Sequence, residues 1–262
     1  MLTDSESLSY LAPLARMFGA AAVQLPALLD AYRTGGGVGW AEFGVDMRES
    51  QADMNRPWFL HQLAEVLASV PDVDAVLRQP RARIADIGCG AGWSSIALSH
   101  AYPESSVEGW DVDAPSIELA RANALTAGLT DRLTFSSADA SGLGEASYDA
   151  LFAFECVHDM PRAVEVLAAM RRAVRSSGAV VVMDEAVADT FAPPGDDLEK
   201  LMYGFSLFVC LQDGMSSQPS AGTGTVMRVD TLRAYAREAS FSDVEVLPTE
   251  EFGFWRFYSL LP

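Results

Sequence analysis

Short apolar runs alternate along the chain with stretches whose apolar residues recur every three or four positions. From Arg81 onward the runs at 82–87, 106–110, 132–136, 148–154 and 179–184 read as strands, and helical patterns at 92–101, 114–127 and 161–175 lie between them. This order predicts a doubly wound, mostly parallel sheet, because a parallel neighbour needs a crossover and the crossover helix covers a face. Asp113 before Ala114-Pro115, and Gly128 after the last apolar position, supply one helix with an N-cap, a first-turn proline and a stop. A further helical pattern, DDLEKLMYGFSLFVCL at 196–211, interrupts the alternation. The chain closes with a helix near 230–239 and two strands, 243–248 and 252–260, whose short joint predicts an antiparallel hairpin at the sheet edge.

Before this pattern, LSYLAPLARMFGAAAVQLPALLDAYR has helical spacing broken by Pro13 and Pro26, which predicts two short helices. YRTGGGVGW, 32–40, then reads as a joint. RESQADMNRPWFLHQLAEVLASV predicts a longer helical segment, bent or restarted near Pro57. The expected organisation is an N-terminal helical cap and dimerisation segment over 1–40, and a main domain over 41–262 with a helical insertion at 190–228.

Half the residues are hydrophobic and 21% are charged, the balance of a globular chain. No apolar run reaches the roughly 18 to 20 residues of a membrane span, and no basic segment leads into an apolar export signal, so a cytoplasmic protein without membrane contact is expected. A net charge of −18 repels polyanions and argues against nucleic acid. This acidity reads as a solubility trait ahead of any preference for a cationic substrate. Cys89, Cys156 and Cys210 are widely spaced and odd in number, and His61, His100 and His158 lack ligand spacing, so neither disulfides nor a metal is expected.

Candidate chemistry begins at RIADIGCGAGWSSIALSHAYP, where glycines 88, 90 and 92 lie between a strand and a helix. Glycine there lets the backbone approach a ligand over a helix N-terminus. A dinucleotide loop, G-x-G-x-x-G, wants glycine at the sixth position, and Trp93 stands there instead. No Gly-Lys-Ser/Thr follows, which excludes a Walker loop. Asp111 lies 21 residues beyond Gly90 at the end of the next strand, where a carboxylate can accept both hydroxyls of a ribose. Asp113 suits the helix cap. Asp139 follows the third strand and can accept from an adenine amine, with the Ala140 backbone beside it.

These residues resemble the class I S-adenosylmethionine-dependent methyltransferases. DIGCGAG at 86–92, the Asp111 strand end, the Asp139 turn, YDALFAFECVHDM at 148–160 and SSGAVVVMDEAV at 176–187 match that family's motifs in order. The chain is also similar to actinobacterial small-molecule methyltransferases, in which YRTGGGVGW, MNRPWF, EKLMYGFS, GMSSQPSAGTGTVMR and FWRFY recur. Many relatives carry an N-terminal winged-helix dimerisation domain where this chain has about 35 residues, so the resemblance leaves a homodimer open. It implies a Rossmann-like, seven-stranded, mostly parallel α/β sheet with helices on both faces. It further implies S-adenosylmethionine as cofactor, with Gly88, Cys89 and Gly90 on its methionine part, Asp86 orienting it, Asp111 and Val112 on ribose, and Asp139 and Ala140 on adenine.

Methyl transfer to a hydroxyl, a protonated amine or an acidic carbon needs a base. FECVHD groups Glu155, His158 and Asp159 past the fourth strand, and an unperturbed histidine titrates near 6.5, suited to that task. His-Asp at this point is also a plausible helix cap. Met54, Trp58, Met202, Tyr203, Phe205 and Phe208 offer an apolar lining for a small-molecule acceptor, or else core or subunit contacts. Gln212 to Met227 has the small residues of a lid or of an ordinary surface loop. The expected activity is methylation of oxygen or nitrogen on a small aromatic or apolar metabolite. The alternatives are a non-catalytic cofactor-binding module and a non-methylating enzyme on the same scaffold.

Overall fold

The computed structural model describes residues 2–249 and 252–262. The N-terminal helices are α1 (Ala12–Val23) and α2 (Leu25–Thr34), followed by α3 (Trp40–Ala68) and α4 (Pro71–Leu77). The alternating part comprises β1 (Arg83–Ile87), α5 (Trp93–Ala101), β2 (Ser106–Asp111), α6 (Ala114–Thr126), β3 (Leu133–Ser137), β4 (Tyr148–Phe154), α7 (Ala163–Ala173) and β5 (Val174–Glu185). Next come α8 (Asp197–Phe205), a π-helical turn at Ser206–Cys210, α9 (Leu211–Met215), α10 (Val229–Glu238), β6 (Asp243–Val246) and β7 (Trp255–Leu261).

The strands form one sheet in the order β3-β2-β1-β4-β5-β7-β6. The pairs from β3 to β5 are parallel, and β7 runs antiparallel to both β5 and β6. This is the expected α/β sheet with its terminal hairpin at one edge. Strand order reverses between β1 and β4, so a crevice opens beyond their carboxyl ends. Side-chain alternation divides the core. Phe152, Phe154, Val181 and Phe257 face α3, α4, α5 and α6, whereas Leu151, Ala153, Val182 and Tyr258 face α7 and α10. All seven β4 residues are buried, as a central parallel strand requires.

Two expectations change. The helix around Pro57 does not bend there: α3 continues through it, and its one non-helical residue is Gly44, with φ at +78°. Pro57 forfeits one N–H bond, but the helix face carrying Phe59, Leu63 and Leu67 is buried and holds the course. The 196–211 helix is also not uniform. Asp196 caps it by accepting from the Glu199 N–H at 2.7 Å, and the π-helical turn then divides α8 from α9.

Met17, Ala20, Ala21 and Leu28 of the first two helices pack with Phe43, Met47 and Val209. The N-terminal helices and the α8–α9 insertion thereby join in one roof over the crevice. Among the described residues no single helix is long and apolar enough to cross a membrane, although α1 and α2 together reach that composition across a 57° bend.

Candidate active site

The loop after β1 turns directly into α5 because its three glycines, Gly88 included at φ +70°, adopt conformations costly for a residue with a Cβ. Gly90 has φ at +50° and Gly92 at +79°. A Cβ at Gly92 would stand 2.7 Å from the Phe135 ring, so helix and strand pack against each other there. A Cβ at Gly90 meets nothing within 4 Å, because that glycine borders a cavity of about 490 Å³. Asp111 reaches this loop from the end of β2, accepting from the Gly90 N–H with Oδ2 and from the Asp113 N–H with Oδ1, each at 2.8 Å. Burial raises its carboxyl despite those two donors. Gly88, Cys89, Gly90, Asp111, Val112 and Trp93 all border the cavity. A cradle of open backbone beside a strand-end carboxylate fits a nucleoside with an extended tail.

The other expected cofactor contacts lie off this wall. Asp86 is fully buried beneath the loop, where Oδ2 accepts from the Ser94 and Ser95 hydroxyls at 2.6 Å each. Asp139 is an exposed cap, its Oδ1 accepting from the Ser141 N–H at 2.7 Å, and these bonds hold its carboxyl below the usual range. Ala140 packs under β4 and β1 instead of facing the cavity. Asp139 does sit near Asp111, since the Ala138 N–H donates to the Asp111 carbonyl at 3.0 Å.

At the opposite end the three residues of FECVHD converge. His158 is 2% exposed, with Nδ1 2.9 Å from Asp184 Oδ1 and Nε2 3.0 Å from Asp159 Oδ1. Burial disfavours the imidazolium, but Asp159, Asp184 and Glu185 outweigh it and push the ring well above 6.5. These acids favour the charged form of the ring, with Nδ1 hydrogen-bonded to Asp184 and Nε2 paired with Asp159. Glu155 sits at φ +52° at the end of β4, a costly conformation for a side-chain-bearing residue. Its Oε2 accepts from Asn55 Nδ2 at 2.5 Å, and burial raises its carboxyl to about 7.

Of the expected acceptor lining, Met54, Met202 and Phe205 border the cavity and Trp58, Tyr203 and Phe208 do not. The Trp58 indole turns onto Phe252 and Trp255 of the terminal hairpin, at 5.5 and 5.8 Å between centroids. Tyr203 neighbours Met202 and so falls on the opposite helix face, 40% exposed against Phe191, while Phe208 points outward from the π-helical turn. The 212–227 segment is strapped over the site: the Gly224 N–H donates to the His158 carbonyl at 3.1 Å, and Ser216, Ser217 and Thr225 border the cavity.

Four contributors escaped sequence reading. Arg48, 9% exposed, forms two hydrogen bonds to Asp113, at 2.6 and 3.2 Å, tying α3 to the cap of α6. Burial works the other way, yet Arg48 and Ser116 hold the Asp113 carboxyl below its usual range. Asn55 supports Glu155, Asp184 supports His158, and Asp213 enters the wall from α9, its carboxyl raised to about 7 by burial and Asp159. Only MDEAV, where two acids end a strand, signals one of them in the sequence. His158 with Asp184 and Glu185, and His158 with Asp159 and Cys210, place donor atoms within 4.8 Å of one another, but His158 is engaged by the acids in both groups.

A reversed last strand, a glycine cradle after β1 and an acid closing β2 define a nucleoside-binding fold of the Rossmann-like class. Residues 84–178 match a family described as a methyltransferase domain. A 27-O-demethylrifamycin SV methyltransferase of Amycolatopsis mediterranei is 28% identical over 60% of this chain and 53% of its own length. An O-methyltransferase family protein of Burkholderia thailandensis shares the fold, with a TM-score of 0.71, 17% identity, and 96% of this chain aligned to 72% of that one. So does an O-methyltransferase of neocarzinostatin biosynthesis, solved with S-adenosylmethionine and 2-hydroxy-5-methyl naphthoic acid, with a TM-score of 0.60, 19% identity, and 94% of this chain aligned to 70% of that one. The chain spans between 39% and 53% of the length of the first two curated relatives it matches. Residues 84–178 are thus similar to a methyltransferase domain, and the whole chain shares its fold with O-methyltransferase structures.

Proposed function

We propose that this protein transfers a methyl group from S-adenosylmethionine to a hydroxyl of a small, partly apolar metabolite. The observation that carries the reading is one continuous cavity bordered both by the Gly88–Gly90 loop with Asp111 and by His158 with Asp159. Gly88, Cys89, Gly90 and Asp111 would hold the cofactor, whose sulfonium supplies a methyl as its carbon–sulfur bond breaks and the acceptor's oxygen–carbon bond forms. The acceptor's proton then has to leave. Asp159, with 27% of its side chain exposed against 1% for His158, is the member of the pair open to the cavity. Asp159 takes the proton, paired with the His158 ring, which Asp184 holds from behind. Met54, Met202 and Phe205 give the acceptor an apolar bed. Oxygen as target is further supported by two likenesses, to an enzyme whose name specifies an O-demethyl substrate and to an O-methyltransferase with a hydroxynaphthoic acid bound.

The exposed apolar residues of α2, Leu25, Leu29 and Tyr32, recur along one helix face. With exposed Phe18, Leu207 and Phe208 they support a homodimer built on the N-terminal helices.

Calorimetry with S-adenosylhomocysteine tests the cofactor reading. Binding is expected, and Asp111→Ala is expected to weaken it by about 1–3 kcal/mol, the cost of unpairing polar ligand groups. Binding of a nicotinamide dinucleotide in place of S-adenosylhomocysteine would overturn the proposal. Incubation with S-adenosylmethionine and hydroxylated aromatics, read by mass, is expected to show addition of one methyl.

A further inference from the structure

The acceptor end of the cavity has far more negative than positive groups. Glu155, Asp159, Glu185 and Asp213 border it, and Asp184 stands directly behind His158. The cations on this wall are His158 and Arg48, and Arg48 is committed to Asp113 by two hydrogen bonds. His158 offsets one carboxylate. A bound sulfonium offsets one more, because the ammonium and carboxylate of the same cofactor cancel. Once ionised, the other carboxyls have no counter-charge.

Two buried acceptors on this cavity, one of them among those carboxyls, also lack donors. Asn55 is 8% exposed and borders the cavity, and with Nδ2 spent on Glu155 its Oδ1 has no partner. Glu185 is 2% exposed, and its Oε2 lies 3.3 Å from a His158 Nδ1 whose one N–H goes to Asp184, so it has no hydrogen bond. Asn55 from α3 and Glu185 from the end of β5 thus present unmet acceptors on the cavity that Glu155, past the end of β4, also borders.

We propose that the methyl acceptor is a cation, a small hydroxylated molecule whose protonated amine is received by Glu155, Glu185 and Asn55 Oδ1. Its apolar body lies on Met54, Met202 and Phe205, and its hydroxyl faces the His158–Asp159 pair. The proposal rests on the methyltransferase reading and narrows its substrate class. An ammonium group supplies three donors to acceptors that lack them and the charge that the carboxyls lack. Burial, with added repulsion from Asp159, holds both Glu155 and Asp213 at about 7, the direction expected where carboxylates outnumber cations. The overall charge of −18 is a separate matter. It is spread over the surface, whereas these carboxyls border one cavity.

Benzylammonium, benzyl alcohol and benzoate match in size and differ in charge. Each is titrated calorimetrically, at about pH 8, into the full chain saturated with S-adenosylhomocysteine. Benzylammonium is expected to bind about tenfold more tightly than benzyl alcohol, with benzoate undetected, and Glu155→Gln is expected to bring the ratio below about threefold. Benzyl alcohol binding as tightly as benzylammonium, or no binding of benzylammonium, overturns the proposal whether or not the variant folds. A chain that fails to bind S-adenosylhomocysteine fails the underlying methyltransferase reading instead, so the two failures are distinguishable.

Discussion

Gly90 and Gly92 stand two positions apart in one turn and are glycine for different reasons. At Gly92 a side chain collides with Phe135, so Gly92→Ala combines overpacking with strain at positive φ and is expected to cost about 2–4 kcal/mol of stability, read from denaturant midpoints. At Gly90 the space is open, and Gly90→Ala carries the backbone strain alone, about 1–2 kcal/mol. Its larger effect is expected in weaker binding of S-adenosylhomocysteine, because the new methyl projects toward the cavity. Sequence spacing marks both glycines and cannot rank them, since it contains no information about which atoms lie opposite. His158 is a similar case. Its position past β4 was legible, but its charge state depends on Asp184 and Glu185, which arrive from the end of β5.

Asp86 joins two elements, accepting at the end of β1 from both serines in the first turn of α5. Burial raises its carboxyl from the usual 3.8 to about 6, against the pull of Ser94 and Ser95. The unfolded chain releases this proton near pH 4 and the folded chain near pH 6, so between them the folded state binds more protons. Asp86 therefore favours folding at the acid end of that window, and its contribution declines as pH rises through it. Asp86→Asn is expected to gain on the wild type by about 3 kcal/mol between pH 4 and pH 7, by the usual conversion of a pKa difference. Urea midpoints measured at several pH values check this, and a variant that tracks the wild type in parallel contradicts it. Element boundaries were mostly legible because apolar period and caps are local. The bend at Gly44 in place of Pro57 was not, because a buried helix face decides whether a proline breaks its helix.

At the scale of the molecule, the first two helices and the 197–215 insertion pack on α3 and roof the crevice, leaving a stripe of apolar residues outward. Sedimentation equilibrium is expected to find a dimer, and the pair Leu29→Glu with Phe208→Glu is expected to yield a monomer that still binds S-adenosylhomocysteine. A wild-type monomer at micromolar concentration removes the dimer reading.

The alternating pattern from Arg81 determined the sheet, and the spacing of Gly90 and Asp111 placed a glycine turn and an acid on the rim of the crevice, because a parallel strand delivers its last residue to the same rim. Tertiary structure decided which groups gather around Glu155 and His158. Asn55, Glu155, Asp184 and Asp213 come from four elements with no common period, and their raised or paired states exist only where burial removes water from between them.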